Sequence, residues 1–433
     1  MPKGKISKKR GGKSQEGAVP NPRVRNEDEE SMPDNWSTHS VQSEDSKSWN
    51  GSDNVIEEEA EDTTEQENFE DKFLECVDST TAKSAQSRVN ALKGVQMALQ
   101  KKFVPEFLID RKETVVDCLV RCLRKGKGEE QALAANCLAL MALQLGSEIE
   151  SELGAVQSFL TTILGDNATN NKARGAVATS LSVIVLLCCY DLEKAKEAIK
   201  ALEDTFRMGY GKGENSPNVS PEQSWLMSQA LAGWCLLLTV APQYEVQTHI
   251  NNHLGRLQQL LLSSDVDLRI TAGEAIALLY ELARDSDEDF EHEEEEALCD
   301  LLKSLATDSV KHRAKKDRKQ QRSCFRDVQR FVVEGETPSE VVKIGKENLL
   351  EIECWSQKHQ YDSFCQVLQS GTSVHLKASH MLREMFGLGA PGQDEYSHSK
   401  SLSKAQRTFY NAAAFKARTK ARSKHRDKRS VVL

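Results

Sequence analysis

The run Gln131-Ala-Leu-Ala-Ala-Asn-Cys-Leu-Ala-Leu-Met141 begins with a polar residue. Small or apolar residues follow three, six, seven and ten positions later: Ala134, Cys137, Leu138 and Met141. That spacing is helical. The same register occurs at Arg88 (Ala91, Gly94, Val95, Ala98) and at Arg174 (Val177, Ser180, Leu181, Ile184). It recurs at Ser224 (Met227, Ala230, Leu231, Trp234) and at Arg269 (Ala272, Ala275, Ile276, Leu279). Successive starts are 43, 43, 50 and 45 residues apart. A period of about 40–47 residues belongs to armadillo and HEAT arrays. Small side chains at the third and sixth positions let helices approach. Larger ones at the seventh and tenth fill the gap to the next repeat.

Between these helices lie partner segments such as Glu113–Leu123, Ala155–Ile163 and His249–Leu262. Turn signals separate them at Gly126-Lys-Gly128, Gly165-Asp-Asn167 and Gly209–Pro221. Alternating β-branched residues are almost absent from Phe69 onward. The expectation is an all-α, armadillo/HEAT-like α-solenoid over 69–310, although a helical bundle with helices of similar length would look alike.

Outside the repeats the charge is segregated. Residues 1–25 carry eight Lys/Arg against Glu16. Glu27 to Glu75 is acidic and Ser-rich, opposed only by Lys47 and Lys72. Such a leader buries too little apolar surface to offset its ordering entropy, so 1–68 is expected to be disordered. Nine acids crowd into Asp285–Glu296, and nine Lys/Arg into Lys311–Arg330. These blocks read either as mutually paired or as solvated faces. The expected order continues with a basic helical stretch at 311–335, a small helical region at 336–392 and a basic helix or tail at 393–433.

The chain has 433 residues, a formal charge of −9, and 39% apolar, 6% aromatic and 28% charged residues. A globular average of about 45–50% apolar leaves room for a portion that never packs. Met1–Lys13 is basic without an apolar core, so no secretory signal is expected. The longest apolar runs, near Leu181–Tyr190 and Ala230–Ala241, fall short of the roughly 18–20 residues a bilayer requires. Eleven cysteines at irregular spacing, none as CxxC, read as reduced, mostly buried thiols.

Catalytic signatures fail on inspection. Gly12-Lys13-Ser14 would need a glycine at Ser7 to end a phosphate loop, and it lies in a basic tail with no strand before it. Gly209-Tyr-Gly211-Lys-Gly213 reads as a loop. His292-Glu293 lacks the second histidine of HExxH. Cys118 with Cys122, and Cys188 with Cys189, read as core. His249 and His253, four apart, could share a metal, but no third ligand lies nearby in sequence, so they read as a surface helix pair. The chain reads as a non-enzyme, with no cofactor, metal or small-molecule substrate implied.

The C-terminal tail carries the sharpest signal. Lys400, Lys404, Arg407, Lys416, Arg418, Lys420, Arg422, Lys424, Arg426, Lys428 and Arg429 face a single acid, Asp427. Phe409, Tyr410 and Phe415 lie among them, and Ala405, Ala412, Ala413, Ala414, Ala417 and Ala421 favour helix. Against a polyphosphate surface such charge is favourable through counterion release, and the aromatics can stack on bases. A nuclear import signal or a solubilising tail has the same composition. Lys311, Arg313, Lys315, Lys316, Arg318, Lys319, Arg322 and Arg326 would form a second basic surface.

An opening Met-Pro-Lys, the acidic Ser-rich leader and the armadillo-like middle join a distinctive C-terminal block. It contains Ser370-Gly371-Thr-Ser-Val-His375-Leu376, then Leu382-Arg383-Glu384-Met-Phe386-Gly387-Leu388-Gly389 and the tail Lys416–Arg429. Together these resemble the interferon-related developmental regulator family. The resemblance implies a non-enzymatic regulator of gene expression in differentiating cells, muscle and neurons included. It implies two modes. One is association with translationally inactive ribosomes, with a C-terminal helix entering the messenger path. The other is nuclear co-regulation of transcription through transcription factors and histone deacetylase corepressors. Cytoplasmic and nuclear locations, ribosomal RNA and corepressor partners, and no membrane follow as expectations. A third reading, a peptide-binding adaptor, needs a regular Asn and Trp ladder, but only Asn136, Trp225 and Trp234 lie on the repeat helices.

Overall fold

A computed structural model describes residues 55–389, except 190, 212–218, 308–314 and 345–347, with side chains from Gln66. The described chain is a two-layered α-solenoid. One layer contains α2 (Ala85–Lys101), α5 (Glu129–Leu145), α7 (Asn171–Cys188), α9 (Pro221–Leu238), α11 (Val266–Arg284) and α13 (Lys315–Glu334), each packed on the next. The other contains α4 (Lys112–Lys125), α6 (Glu150–Gly165), α8 (Leu192–Phe206), α10 (Gln243–Leu260) and α12 (Glu295–Thr307). The short α3 (Pro105–Ile109) links α2 to α4, and α1 (Val55–Ser79) precedes the array.

The register has a structural cause at both ends. Its small and apolar positions are buried between neighbouring helices: Ala134, Cys137, Leu138 and Met141 on α5, and Ala272, Ala275, Ile276 and Leu279 on α11. At four of its five starts the polar side chain ties the helix to the end of the preceding segment. Arg88 donates to the Ala82 carbonyl at 3.0 Å, Gln131 to Leu123 at 3.2 Å, Arg174 to Leu164 at 2.9 Å and Arg269 to Ser263 at 2.7 Å. Carbonyls at helix ends and turns lack intrahelical donors, so one side chain satisfies what the turn leaves open. Side-chain caps start α7, α8, α9 and α11: Asn170, Asp191, Ser220 and Asp265 accept from first-turn N–H groups.

The array extends beyond the boundary expected at 310. Gln321 on α13 donates to the Leu305 carbonyl of α12 at 3.3 Å, repeating the role of the earlier polar starts. Val328 and Phe331, seven and ten residues on, are buried. The basic stretch is therefore the packed helix of a sixth unit. Gly273 of α11 admits it: a Cβ there would stand 2.7 Å from Phe325.

Three further expectations need correction. Helix α1 begins at Val55, inside the leader expected to be disordered to 68; Phe73 and Val77 give it a buried face. The region 336–392 is not wholly helical. An antiparallel hairpin, β1 (Glu340–Ile344) and β2 (Asn348–Ile352), precedes α14 (Trp355–Leu368), α15 (Thr372–Ala378) and α16 (His380–Met385). Two helical stretches, Glu129–Gly165 and Asn171–Cys188, are apolar and long enough to cross a bilayer, and most of each is buried inside the fold. A helix apolar on every side is what a central position between neighbours requires.

Candidate functional site

Helices α14, α15 and α16 lie across the first layer as a strap. Its N-terminus is held by Glu281 of α11, whose carboxylate accepts from Trp355 N at 2.5 Å, Ser356 N at 2.8 Å and Ser356 Oγ at 2.7 Å. An anion there meets both the free N–H groups and the positive end of the helix dipole. One turn on, Lys358 Nζ bridges Glu274 of α11 (3.5 Å) and Asp362 (2.5 Å). His359 Nε2 lies 3.2 Å from the Glu274 carbonyl. Burial pushes the carboxyl of Glu274 upward, opposed by the Lys358 ammonium, and the nearby anions hold Lys358 protonated.

The strap then crosses the repeats in reverse order. Gln360 donates to Thr239 Oγ1, just past α9, at 3.0 Å. Gln366 donates to Gln229 of α9 and, at 3.4 Å, to Thr179 of α7. Gln100 of α2 donates to the Val367 carbonyl at 2.8 Å, and His375 Nε2 lies 3.0 Å from the Leu99 carbonyl. Gly371 sits directly on the Gln100 carbonyl, where a Cβ would come within 1.7 Å of the oxygen. Desolvation pushes the buried His375 imidazole down to about 4, so it is neutral at pH 7. Arg383 closes the strap by donating to the Gly389 and Leu388 carbonyls, both at 2.9 Å, and to Leu376 at 3.4 Å.

Beside α14 the same face keeps a cavity of about 660 Å³, lined by Asn136, Lys172, Thr179, Trp225, Gln229 and Gln366 among others. Asn136 and Trp225 thus do face this surface. Trp234 does not: it is fully buried in the core. A peptide laid along the array would meet α14 and α15 across α11, α9, α7 and α2.

The second basic surface divides by exposure. Lys315, Lys316, Lys319 and Arg326 are exposed, as is Arg330, while Arg318 and Arg322 are half-buried. Positions 315, 319, 322, 326 and 330 advance by three or four residues and share one face of α13. The opposite face buries Gln321, Phe325, Val328, Phe331 and Val332. Arg284 at the end of α11 donates to the Phe331 and Val332 carbonyls at 2.9 and 2.7 Å, fixing the C-terminus of α13. Lys311 and Arg313 lie outside the described residues. So do all the tail positions singled out in the sequence: Lys404, Arg407, Phe409, Tyr410, Phe415, Lys416, Arg418, Lys420, Arg422, Lys424, Arg426, Lys428 and Arg429.

Two family models match the chain. One, described as interferon-related developmental regulator, covers residues 35–333. The other, an interferon-related protein conserved region, covers 380–430. The chain belongs to the interferon-related developmental regulator family. It is 42% identical over 381 residues to interferon-related developmental regulator 2 of Mus musculus, covering 87% of this chain and 86% of the relative. It is likewise 42% identical over 372 residues to interferon-related developmental regulator 1 of Homo sapiens, covering 85% and 82%. Among solved structures, a designed armadillo repeat protein aligns with 58% of this chain and 98% of its own length, at 17% identity and a TM-score of 0.37. Family membership supports a regulatory role in differentiation, and the family is one of regulators rather than a known enzyme family.

Proposed function

We propose that this family member is a non-enzymatic translational repressor that binds ribosomal RNA through two basic elements: the exposed stripe of α13 and the tail Lys404–Arg429. The observation that carries this reading is the one-sided charge of α13. Its apolar face is committed to α11 and α12, so its row of cations is held in a fixed geometry. Fixed cations suit a surface of regularly spaced phosphates, where contacts position the protein without reading sequence. The strap supports the same reading. It leads directly into the basic tail and occupies the face that a peptide adaptor would use. Cytoplasmic and nuclear locations belong to the proposal, the basic clusters serving also for import.

The test is sedimentation of cell lysate through sucrose, with nuclease controls. It compares the intact chain with a form lacking residues 400–433 and with the α13 variant Lys315→Glu/Lys319→Glu/Arg326→Glu. The expected result is co-migration of the intact chain with monosomes and loss of that co-migration in both variants. If all three remain at the top of the gradient and the intact chain co-purifies with deacetylase subunits after nuclease treatment, the nuclear scaffold reading replaces this one.

A further inference from the structure

The helix pair His249 and His253 is not the isolated surface pair that its sequence context suggests. A third ligand arrives from α8. His253 Nε2 stands 3.2 Å from Glu203 Oε1, and His249 Nδ1 stands 3.6 Å from Glu203 Oε2. The three donor atoms all lie within 4.8 Å of one another. His253 is only 2% exposed, and its neighbours are the rings of Phe206 and Trp234, at 5.6 and 5.3 Å between centroids. Trp234 also meets His249 edge-on at 5.5 Å. His249 Nδ1 and His253 Nε2 are buried nitrogens without a hydrogen-bond partner, and both are directed at the same carboxylate.

We propose that Glu203, His249 and His253 form a zinc-type metal site joining α8 to α10. Two nitrogen and one oxygen donor, with a fourth position left to water, is a common zinc donor set. Ligand atoms about 2.0–2.1 Å from a tetrahedral ion stand about 3.3 Å apart. The two nitrogens lie 3.2 and 3.6 Å from the two different oxygens of the Glu203 carboxylate, which brackets that length, and the three donor groups bring ligand atoms within 4.8 Å of one another.

Tyr210 Oη lies 2.9 Å from His253 Nδ1 and can either donate or accept. A His253 tautomer that donates Nδ1–H to Tyr210 would leave the Nε2 lone pair free for a metal. Arg207, whose Nη1 is 3.0 Å from Glu203 Oε1, neutralises the carboxylate until the ion arrives. An orienting partner on the non-ligating nitrogen is a regular feature of histidine metal sites.

The site would pin the second-layer helices of two successive repeats, and this role is independent of RNA binding. The test titrates the full chain, first stripped with a chelator, with Co²⁺ and then Zn²⁺. The expected result is one Co²⁺ per chain with a visible four-coordinate spectrum, no thiolate charge-transfer band, displacement by Zn²⁺ and a higher melting temperature with Zn²⁺. Glu203→Gln and His249→Gln, which keep side-chain volume, should each weaken binding at least about tenfold. The metal-free melting temperature of each variant checks its fold. Should Glu203→Gln fail to fold, His249→Gln decides. Binding by a folded variant as tight as wild type, a thiolate band placing the metal on cysteine, or no uptake by the wild-type chain would each overturn the assignment.

Discussion

Replacing Gly371 by alanine tests whether the strap is held by the contacts described. The backbone of Gly371, at φ −84° and ψ −7°, is open to any residue, so alanine adds no conformational strain there. The whole effect must come from the new Cβ. It would stand 1.7 Å from the Gln100 carbonyl oxygen and 2.7 Å from its carbon. Restoring an ordinary C···O separation of about 3.3 Å moves the strap off α2 by about 1.6 Å. Hydrogen bonds flank the contact on both sides: Gln100 to the Val367 carbonyl at 2.8 Å and His375 to the Leu99 carbonyl at 3.0 Å. A displacement of that size takes both beyond hydrogen-bonding range. Each is worth about 1 kcal/mol when made, and each buried group left unpaired costs about 1–3 kcal/mol. A loss of about 3–5 kcal/mol in docking follows, which is about a hundredfold or more in the opening equilibrium. Amide hydrogen exchange over residues 372–386 should accelerate by that factor while α5 and α7 keep their protection. Gly165→Ala is the control, because nothing lies within 4 Å of the new methyl. Wild-type exchange in the Gly371→Ala chain would refute the docking geometry.

Acid should loosen the same strap. His375 is buried and neutral with its folded value down at about 4, against about 6.5 unfolded. Its contribution is complete above pH 6.5 and fades as the pH falls toward 4, by up to about 3 kcal/mol; urea midpoints across that window check this, and His375→Gln should flatten the slope. Lys358→Met leaves Glu274 and Asp362 facing each other without their cation. The expected loss is about 2–3 kcal/mol in urea denaturation, and adding Glu274→Leu should recover much of it. For RNA, Lys315→Gln/Lys319→Gln/Arg326→Gln should weaken binding at every sequence tested. It should also flatten the plot of log affinity against log salt by about 0.7–0.9 per lost phosphate contact.

The repeat register was legible because each repeat faces the same physical problem. A helix between two neighbours needs small residues where backbones approach, and a polar start that satisfies the carbonyls behind it. Arg88, Gln131, Arg174 and Arg269 do this through chemically different side chains. Gln321 does it too, yet α13 escaped the pattern. Asp327 stands where the earlier repeats have a small or weakly polar residue, and the many cations of its outer face outweigh Phe325, Val328 and Phe331 in any compositional reading. The hairpin at Glu340–Ile352 was hidden for a different reason. Its strands are five residues each, too short for a distinct alternation, and they pair antiparallel with each other, Val342 opposite Leu350. The cluster of Glu203 with His249 and His253 depends on a contact between two second-layer helices 46 and 50 residues apart along the chain, which helical periodicity does not encode.

The strap changes what the armadillo-like pattern implies. In this chain the face presenting Asn136 and Trp225 is bridged in cis, from Glu281 on α11 to Leu99 and Gln100 on α2, by glutamines, a histidine and a capped helix start. A competing peptide would have to replace those hydrogen bonds and then pay the entropy of its own ordering. Recognition at the edge of the array carries no such cost, and there α13 already holds its cations in register. The contacts that close the peptide face also fix Leu388 and Gly389, whose carbonyls Arg383 holds. Under the proposed RNA-binding role, basic residues tethered to that point would meet a second phosphate surface at a higher effective concentration than a free peptide of the same sequence. Releasing the strap through Gly371→Ala should therefore weaken RNA binding by the intact tail even though no basic residue has changed.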